Sequence, residues 1–278
     1  MAFVTRFAPS PTGPLHLGHA YSAMLAHDRA RAAGGTFLLR IDDLDRTRCR
    51  PRWEAQIEAD LHWLGLDWPR PVMRQSERLP RYRAALQTLW DKGLLYPCSC
   101  SRADIRAAAS APQEGAALHG PDGVIYPGTC RPASPPGGKM PRDAVLRLDM
   151  ARAMARLDAP LSYREHAQTV TPHELTTHVG DVVLARRDMG AAYHLAVVLD
   201  DADQSVTHVI RGADLQDATQ LHVLLQRLLG LPTPAYEHHR LIRDDAGRRL
   251  AKRDDARAID TYRARGDTPA DIRAMVGL

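Results

Sequence analysis

A short run near the start of the chain, His16-Leu17-Gly18-His19, has residue types and spacing suited to binding a phosphorylated ligand. A helical pattern is predicted from Leu15 to Ala33. Within it His16 and His19 stand at i and i+3, so they face the same way. A helix N-terminus offers free N–H groups and the positive end of a dipole, which suits a phosphate chain. An isolated His-x-x-His pair is also common on ordinary surface helices, so the pair alone leaves both interpretations open.

A basic segment, Arg248-Arg249-Leu250-Ala251-Lys252-Arg253, follows a turn of Asp244-Asp245-Ala246-Gly247. Basic runs of this kind are often solvated loops. Lys252 is one of only three lysines, whereas Lys and Arg together number 37. A lysine retained in so arginine-rich a chain is a candidate for a specific role.

Three cysteines form a possible zinc site: Cys98 and Cys100 as a Cys-x-Cys pair, and Cys130 further on. Thiolates suit Zn²⁺, and tetrahedral closure needs a fourth ligand. The alternative is three reduced cysteines without metal, because the usual Cys-x-x-Cys pairs are absent.

Charged residues also stand at the ends of predicted strands. Arg6 lies in a strand from Val4 to Phe7, Asp42 follows one from Thr36 to Ile41, and Arg211 ends one that begins at Val206. Tyr193 is predicted to begin a strand that runs to Leu199. Ligands of doubly wound sheets bind outside the carboxyl ends of strands, so these residues are binding candidates.

These elements predict an α/β fold, a Rossmann-type doubly wound parallel sheet with an inserted zinc-containing lobe and a short C-terminal extension. Further helices are predicted at 51–64, 79–92 and 214–229, and a further strand at 179–186. The predicted domains are a first catalytic half (1–95), the inserted lobe (96–178), a second catalytic half (179–235) and a basic loop with a short helical region (236–278).

Composition narrows the class of protein. The chain has 278 residues, a net charge of +4 and a pI near 9.0, which permits an acidic partner such as RNA. No apolar run is long enough to span a membrane, and the N-terminus lacks the features of a signal peptide. We therefore expect cytoplasmic residence and no membrane partner.

The run from Arg6 to His19 closely resembles the signature of class I aminoacyl-tRNA synthetases, whose "HIGH" motif corresponds to His16-Leu17-Gly18-His19. The stretch Arg6-Phe7-Ala8-Pro9-Ser10-Pro11-Thr12-Gly13 is similar to their glutamate-specific branch. Arg249-Leu250-Ala251-Lys252-Arg253 resembles their "KMSKS" loop, with Arg249 and Ala251 as departures.

The resemblance implies roles for individual residues. His16, His19 and Lys252 would be catalytic, and they would bind ATP and its Mg²⁺ together with Gly18. Asp42 departs from the usual glutamate of the family. The implied contacts to L-glutamate are Arg6, Phe7, Ala8, Pro9, Ser10, Asp42, Tyr193 and Arg211.

Cys98-Ser99-Cys100 and Tyr126-Pro127-Gly128-Thr129-Cys130 look similar to the metal site of glutamyl-queuosine tRNA(Asp) synthetases, the truncated relatives of glutamyl-tRNA synthetases. The implied ligands of one structural Zn²⁺ are Cys98, Cys100, Tyr126 and Cys130. The chain also ends soon after Lys252, without a large anticodon-binding region. The expected function is ATP-dependent glutamate activation that needs no tRNA, followed by transfer to queuosine of tRNA(Asp). A truncated glutamyl-tRNA synthetase that charges a tRNA 3′ end and an inactive RNA-binding paralogue are the alternatives.

Overall fold

The computed structural model describes residues 2–109, 119–120, 123–165, 169–170, 175–243 and 258–278. Within these residues the strands are β1 Val4–Phe7, β2 Thr36–Ile41, β3 Met73–Arg74, β4 Leu95–Cys98, β5 His119–Gly120, β6 Gly123–Val124, β7 Val145–Leu148, β8 Leu161–Ser162, β9 Thr169–Val170, β10 Val183–Ala185, β11 His208–Gly212 and β12 Ala235–His239. The α-helices in the same residues are α1 Leu17–Ala32, α2 Pro51–Trp63, α3 Leu79–Asp91, α4 Arg102–Ala109, α5 Met150–Ala155, α6 Tyr193–Asp203, α7 Ala218–Leu229, α8 Ile259–Arg265 and α9 Pro269–Val276.

Contacts divide the chain into two compact units. The first unit comprises Met1–Glu77, Ser205–Gln216 and Pro234–Leu278, and the second comprises Arg78–Gln204 and Asp217–Thr233. The four domain ranges predicted from the sequence stay a prediction.

The first unit is built on parallel strands. β1 pairs with β2 and β2 with β3 in parallel, as does β11 with β12. The Thr207 N–H donates to the Val4 carbonyl at 2.9 Å, which brings the start of β11 beside β1. The order is therefore β3-β2-β1-β11-β12, and the parallel α/β fold predicted from the sequence is confirmed.

The core of the first unit explains why these segments adopt their structures. β2 is an almost continuous apolar run, and Phe37, Leu39 and Ile41 are buried in one cluster. Such a run is typical of a parallel strand that is covered on both faces. α1 contributes Met24 to this cluster and α2 contributes Leu61.

The second unit contains an antiparallel sheet in the order β10-β7-β4. Cys98 ends β4 and pairs with Val145 of β7. Asp181 precedes β10, which pairs with β7. This sheet therefore carries the first cysteine of the possible metal site, Cys98.

One predicted element has the wrong type. Tyr193–Leu199 was expected to be a strand, but the structure has helix α6 there. Asp200 and Asp203, one turn apart on α6, both contact Arg78 at the start of α3. These ion pairs and the burial of eight of the eleven residues of α6 favour the helix over a strand.

Smaller differences concern element limits. α1 begins at Leu17 rather than Leu15, because the Leu15 carbonyl accepts from the Ile259 N–H at 2.9 Å. The predicted strand at 179–186 is reduced to β10 after a π-helical turn, Leu175–Val179. The predicted helix at 214–229 is divided into the 3₁₀ turn Ala213–Leu215 and α7. Among the described residues no helix is both long and apolar enough to cross a bilayer.

Candidate active site and metal centre

The end of β1 carries the first predicted ligand-binding residues. Arg6 and Phe7 are the last two residues of β1 and both are buried. Ala8 is half-buried, Pro9 is buried and Ser10 is exposed. The chain therefore leaves the sheet at Ala8 and reaches its surface at Ser10.

Asp42 lies directly after β2 and is held in place from both sides. Its N–H donates to the Pro9 carbonyl at 3.1 Å, which joins the ends of β1 and β2. The Arg40 Nε donates to the Asp42 Oδ1 at 2.8 Å, and both side chains are buried. Residues two apart in a strand share a face, so β2 itself places this guanidinium beside the carboxylate.

Arg211 is the penultimate residue of β11 and is also buried. Its Nη2 donates to the Leu215 carbonyl at 3.1 Å, and its Nε donates to the His238 Nε2 at 3.2 Å. The guanidinium carbon lies 5.3 Å from the centre of the Tyr236 ring. These contacts orient Arg211 at the carboxyl end of its strand.

The structure thus brings three buried charges to the ends of three neighbouring strands, β2, β1 and β11. The strand order reverses between β1 and β11, and open α/β sheets bind ligands at such a switch point. Two guanidiniums can bind carboxylates, and one carboxylate can bind an ammonium group. Arg6, Asp42 and Arg211 therefore have the charges that a free acidic amino acid requires.

His16 and His19 form the N-terminal cap of α1. The His16 Nδ1 accepts from the Gly18 N–H at 3.1 Å, and the His19 Nδ1 accepts from the His16 N–H at 3.2 Å. The two ring centres lie 3.8 Å apart, which confirms that both histidines face the same way. A Cβ on Gly18 would lie 3.1 Å from the His16 ring, so the glycine makes room for that ring.

The basic segment 248–253, including Lys252, lies outside the described residues. Its nearest described neighbour downstream is Ala258, which forms an antiparallel bridge with His16. Ala258 therefore lies directly beside the histidine pair.

Tyr193 belongs to the second unit, where it is the first residue of α6 and is 38% exposed. Its ring centre lies 5.3 Å from that of His194, whose Nδ1 lies 2.9 Å from the His222 Nε2. Tyr193, Tyr126 and Arg147 line a cavity of about 830 Å³ within this unit. Tyr193 thus stands at a helix start rather than at the strand start that the pattern suggested.

The possible metal ligands do come together in the second unit. The sulfurs of Cys98, Cys100 and Cys130 all lie within 4.8 Å of one another. The Tyr126 Oη is 3.5 Å from the Cys98 Sγ and 3.5 Å from the Cys100 Sγ. The Cys130 N–H donates to the same oxygen at 2.7 Å.

These distances fit tetrahedral coordination of a metal ion. With Zn–S bonds of about 2.3 Å and a Zn–O bond of about 2.0 Å, the S–S edges are about 3.8 Å and the S–O edges about 3.5 Å. Cys100 and Cys130 are 3.3 Å apart, which is within half an ångström or so of that edge. The three cysteines could therefore hold a metal ion, with Tyr126 at the fourth corner.

Protonation in this cluster is uneven. Donation from Tyr126 lowers the pKa of the Cys130 thiol to about 6. Burial and its hydrogen bonds to the cysteines raise the pKa of Tyr126, so the phenol stays protonated without a metal. One thiolate therefore forms easily, whereas the tyrosine would lose its proton only to a bound cation.

Sequence comparison places the chain in a family: it belongs to the class I tRNA synthetases (E and Q), whose catalytic-domain model matches residues 2–278. It is therefore an enzyme of the tRNA-synthetase ligase type. It is 61% identical over 278 residues to the glutamyl-Q tRNA(Asp) synthetase of Rhodobacter capsulatus, which covers 99% of this chain and 100% of the relative. The protein of that name from Geobacter sulfurreducens is 44% identical over 257 residues, covering 92% of this chain and 77% of the relative.

Solved structures agree with this assignment. The glutamate tRNA ligase of Elizabethkingia meningosepticum, determined with its amino acid, matches with a TM-score of 0.69 and 28% identity over 91% of this chain. The glutamate-tRNA synthetase of Elizabethkingia anophelis gives 0.70 and 27%. The chain spans about half the length of these two structures (52% and 53%).

Arg40 is the residue at this site that the sequence reasoning missed. Side chains alternate between the two faces of β2, so residues 40 and 42 lie on one face. The sequence pattern could therefore have predicted that their charges pair.

Proposed function

We propose that this protein activates L-glutamate with ATP, without needing tRNA, and transfers the glutamyl group to the queuosine base at the wobble position of tRNA(Asp). The observation that carries the proposal is the set of buried charges at the switch point, Arg6, Asp42 and Arg211, beside the capped start of α1. The name of the Rhodobacter capsulatus relative, identical at 61% of positions over its whole length, supports the acceptor.

Activation is chiefly a problem of charge. An oxygen of the glutamate α-carboxylate attacks the α-phosphorus of ATP, a P–O bond forms, and pyrophosphate leaves with the electron pair of the bond that breaks. Preorganised donors stabilise the charge that grows on the leaving group. His16, His19 and Lys252 would supply them, together with the N–H groups at the start of α1. Mg²⁺ enters bound to ATP, as part of that substrate.

The side chains of the first unit would hold the amino acid. Two guanidiniums, of Arg6 and Arg211, match the two carboxylates of glutamate, and Asp42 matches its ammonium group. The backbone from Phe7 to Ser10 would complete the contacts within this unit, and the resemblance to the family implies a further contact from the hydroxyl of Tyr193. In the second step a queuosine hydroxyl attacks the activated carbonyl: the ester C–O bond forms, the bond from that carbonyl carbon to the AMP oxygen breaks, AMP leaves with the electron pair and the hydroxyl proton is released to water.

We also propose that the cluster of Cys98, Cys100, Cys130 and Tyr126 holds one structural Zn²⁺. Closed coordination by four protein ligands is the mark of a structural site. Bound there, the ion would cross-link the short segments of the second unit and supply no chemistry to the reaction.

The decisive experiment is to charge tRNA(Asp), with and without queuosine, using labelled glutamate, and to map the label by nuclease digestion. The proposal expects label only on the queuosine-containing tRNA, and only in the anticodon-loop fragment. Label on the 3′-terminal adenosine would establish the truncated glutamyl-tRNA synthetase instead. Absence of glutamate-dependent ATP–pyrophosphate exchange would identify an inactive paralogue, and exchange that requires added tRNA would overturn tRNA-independent activation.

A further inference from the structure

A buried carboxylate, that of Asp181, joins several segments of the second unit. Its Oδ2 accepts from the Tyr96 hydroxyl and from the Arg131 Nε, the latter at 2.7 Å. Its Oδ1 accepts from the Met150 N–H at 2.9 Å. Asp181 is only 1% exposed, so the carboxylate itself lies away from solvent.

The backbone of Asp181 makes a further contact of the same kind. Its carbonyl accepts from the Arg147 Nη1 at 2.8 Å. The Arg147 guanidinium carbon in turn lies 3.7 Å from the centre of the Tyr126 ring. A cation this close to a ring face is attracted to it, so Arg147 helps to fix that phenol.

Two of these partners, Tyr96 and Arg131, belong to segments that carry a proposed metal ligand, and Arg147 contacts a third. Tyr96 lies in β4, which ends at Cys98. Arg131 follows Cys130 directly in the chain. One residue therefore connects Asp181 to each of three parts of the cluster: the segment of Cys98, the segment of Cys130 and the ring of Tyr126.

From this arrangement we infer that Asp181 is a positioning residue for the metal centre. It would hold the segments that carry the ligands in place without touching the ion. The inference rests on the proposed zinc site. Groups around a metal's ligands orient them, and loss of one such group weakens metal binding by about 10–100-fold. The hydrogen bond from Arg131 is charge-assisted, and such bonds are shorter and stronger than neutral ones.

The second unit contains a closely matched control. Tyr82 donates to the two carboxylate oxygens of Asp200 at 3.0 and 2.9 Å, and the Arg78 Nε donates to Asp200 at 2.8 Å. Tyr82 and Asp200 are both 0% exposed. This Tyr–Asp–Arg group reproduces the chemistry and burial of the Asp181 group, but none of its three members adjoins a cysteine of the cluster in sequence.

The experiment compares Asp181→Asn and Tyr96→Phe with Asp200→Asn and Tyr82→Phe in the full chain. Zinc per chain is measured by mass spectrometry, and zinc affinity by competition with a chromophoric chelator. Co²⁺ in place of zinc gives a visible spectrum that reports ligand geometry. We expect Asp181→Asn to bind zinc about 10–100-fold more weakly and to shift the Co²⁺ spectrum. Tyr96→Phe should change both in the same direction by less, and the control pair should bind zinc like the wild type even where unfolding occurs more easily.

Equal zinc affinity in Asp181→Asn and Asp200→Asn, with the wild type loaded, would overturn the positioning role and leave the zinc site standing. A wild type that binds no zinc would overturn both. If Asp181→Asn fails to fold, the comparison of Tyr96→Phe with Tyr82→Phe tests the inference instead. Equal zinc affinities of these two variants would refute it.

Discussion

The Arg40 guanidinium donates to the Asp42 carboxylate at 2.8 Å, and both side chains are buried at the carboxyl end of β2. A charge buried in this way is costly unless it is paired. The pairing with Arg40 offsets that cost and fixes the position of Asp42. The fixed position matters because the aspartate side chain is shorter than the glutamate residue that is usual at this position in the family.

The first prediction concerns this pair. Asp42→Asn should raise the KM for glutamate by about 30-fold or more, since losing one partner of a buried charge pair costs about 2 kcal/mol or more. Arg40→Lys keeps the charge but loses the planar fork, so its KM for glutamate should rise by about tenfold. Glutamate-dependent pyrophosphate exchange, with ATP and glutamate varied separately, measures both effects.

The control for the pair is Arg74→Lys, in a half-exposed ion pair with Glu54 of the same unit. It should leave both KM values unchanged. If Arg40→Lys raises the KM for ATP as much as that for glutamate, the pair supports the fold and does not serve the amino acid.

The second prediction separates two roles of His16. As the cap of α1 it accepts from the Gly18 N–H, a role that asparagine fills equally well. His16→Asn should therefore keep the thermal midpoint of unfolding but reduce pyrophosphate exchange by about 10²-fold, because the imidazole beside the phosphates is lost. His16→Ala should lose about 1 kcal/mol of stability in addition.

His62→Ala, which removes an exposed histidine stacked on Trp68, is the control for both measurements. Normal exchange in His16→Asn would reduce His16 to a helix cap.

The third prediction tests the basic segment. Lys252→Ala should reduce pyrophosphate exchange by about 10²-fold or more, the usual effect of removing one preorganised charge that stabilises a transition state. Binding of glutamate alone should change little, because the lysine would face phosphate. Lys139→Ala, an exposed lysine of the second unit, should exchange normally. An active Lys252→Ala variant would show that the resemblance of this segment to the family's loop carries no function here.

These residues also show how far the sequence alone could go. Strands β1 and β2 have the predicted limits because short apolar runs between turns admit few other structures. The histidine pair and the cysteine cluster were found because their members lie close together in the chain or match a motif. α6 was assigned wrongly because Tyr193–Leu199 is apolar on nearly all sides, and such a run fits a strand as well as a buried helix.

What could not be predicted depends on partners that are distant in the chain. Asp181 is a single acidic residue with no motif around it, and its donors come from β4, from Arg131 and from α5. Local patterns carry no information about such pairings. The hydrogen bonds that support a site are therefore found only in the folded chain.

The fourth prediction concerns the metal. Purified protein should hold about one Zn²⁺ per chain, and Cys98→Ser should lose most of it. Hydrogen exchange should then rise around β4 and β7 more than in β1 and β2, because the metal links only segments of the second unit. Cys49→Ser, which removes a cysteine outside the cluster, should keep its zinc. Protein that is purified without chelator and contains no zinc would contradict this prediction.

The fifth prediction is a pH dependence of stability that originates in Asp60. This residue lies on α2 and is 2% exposed, and none of the described residues donates a hydrogen bond to its Oδ2. Burial, followed by the nearby charge of Asp260 on α8, raises the pKa of Asp60 to about 6, and Arg263 opposes the shift. The folded state therefore holds this proton more tightly than the unfolded state, whose carboxyl has an ordinary pKa near 4.

The sign of the effect follows from that difference. A raised acid pKa stabilises the fold at low pH, and this contribution falls as the pH rises from about 4 to about 6 and is constant above. At 1.36 kcal/mol for each pKa unit, the loss amounts to about 1–3 kcal/mol. Asp60→Asn cannot titrate, so it should be more stable than the wild type at pH 7.5 by about 1 kcal/mol or more.

Urea unfolding of wild type and Asp60→Asn between pH 4 and pH 8 measures this contribution. The difference between the two proteins cancels the carboxylates whose pKa is lowered, such as Asp45 and Asp203, which act in the opposite direction. Asp260→Asn removes one cause of the shift, so the fall in stability should shrink and move to lower pH without vanishing. A difference between wild type and Asp60→Asn that stays constant from pH 4 to pH 8 would mean that the Asp60 carboxyl titrates as it does in the unfolded chain.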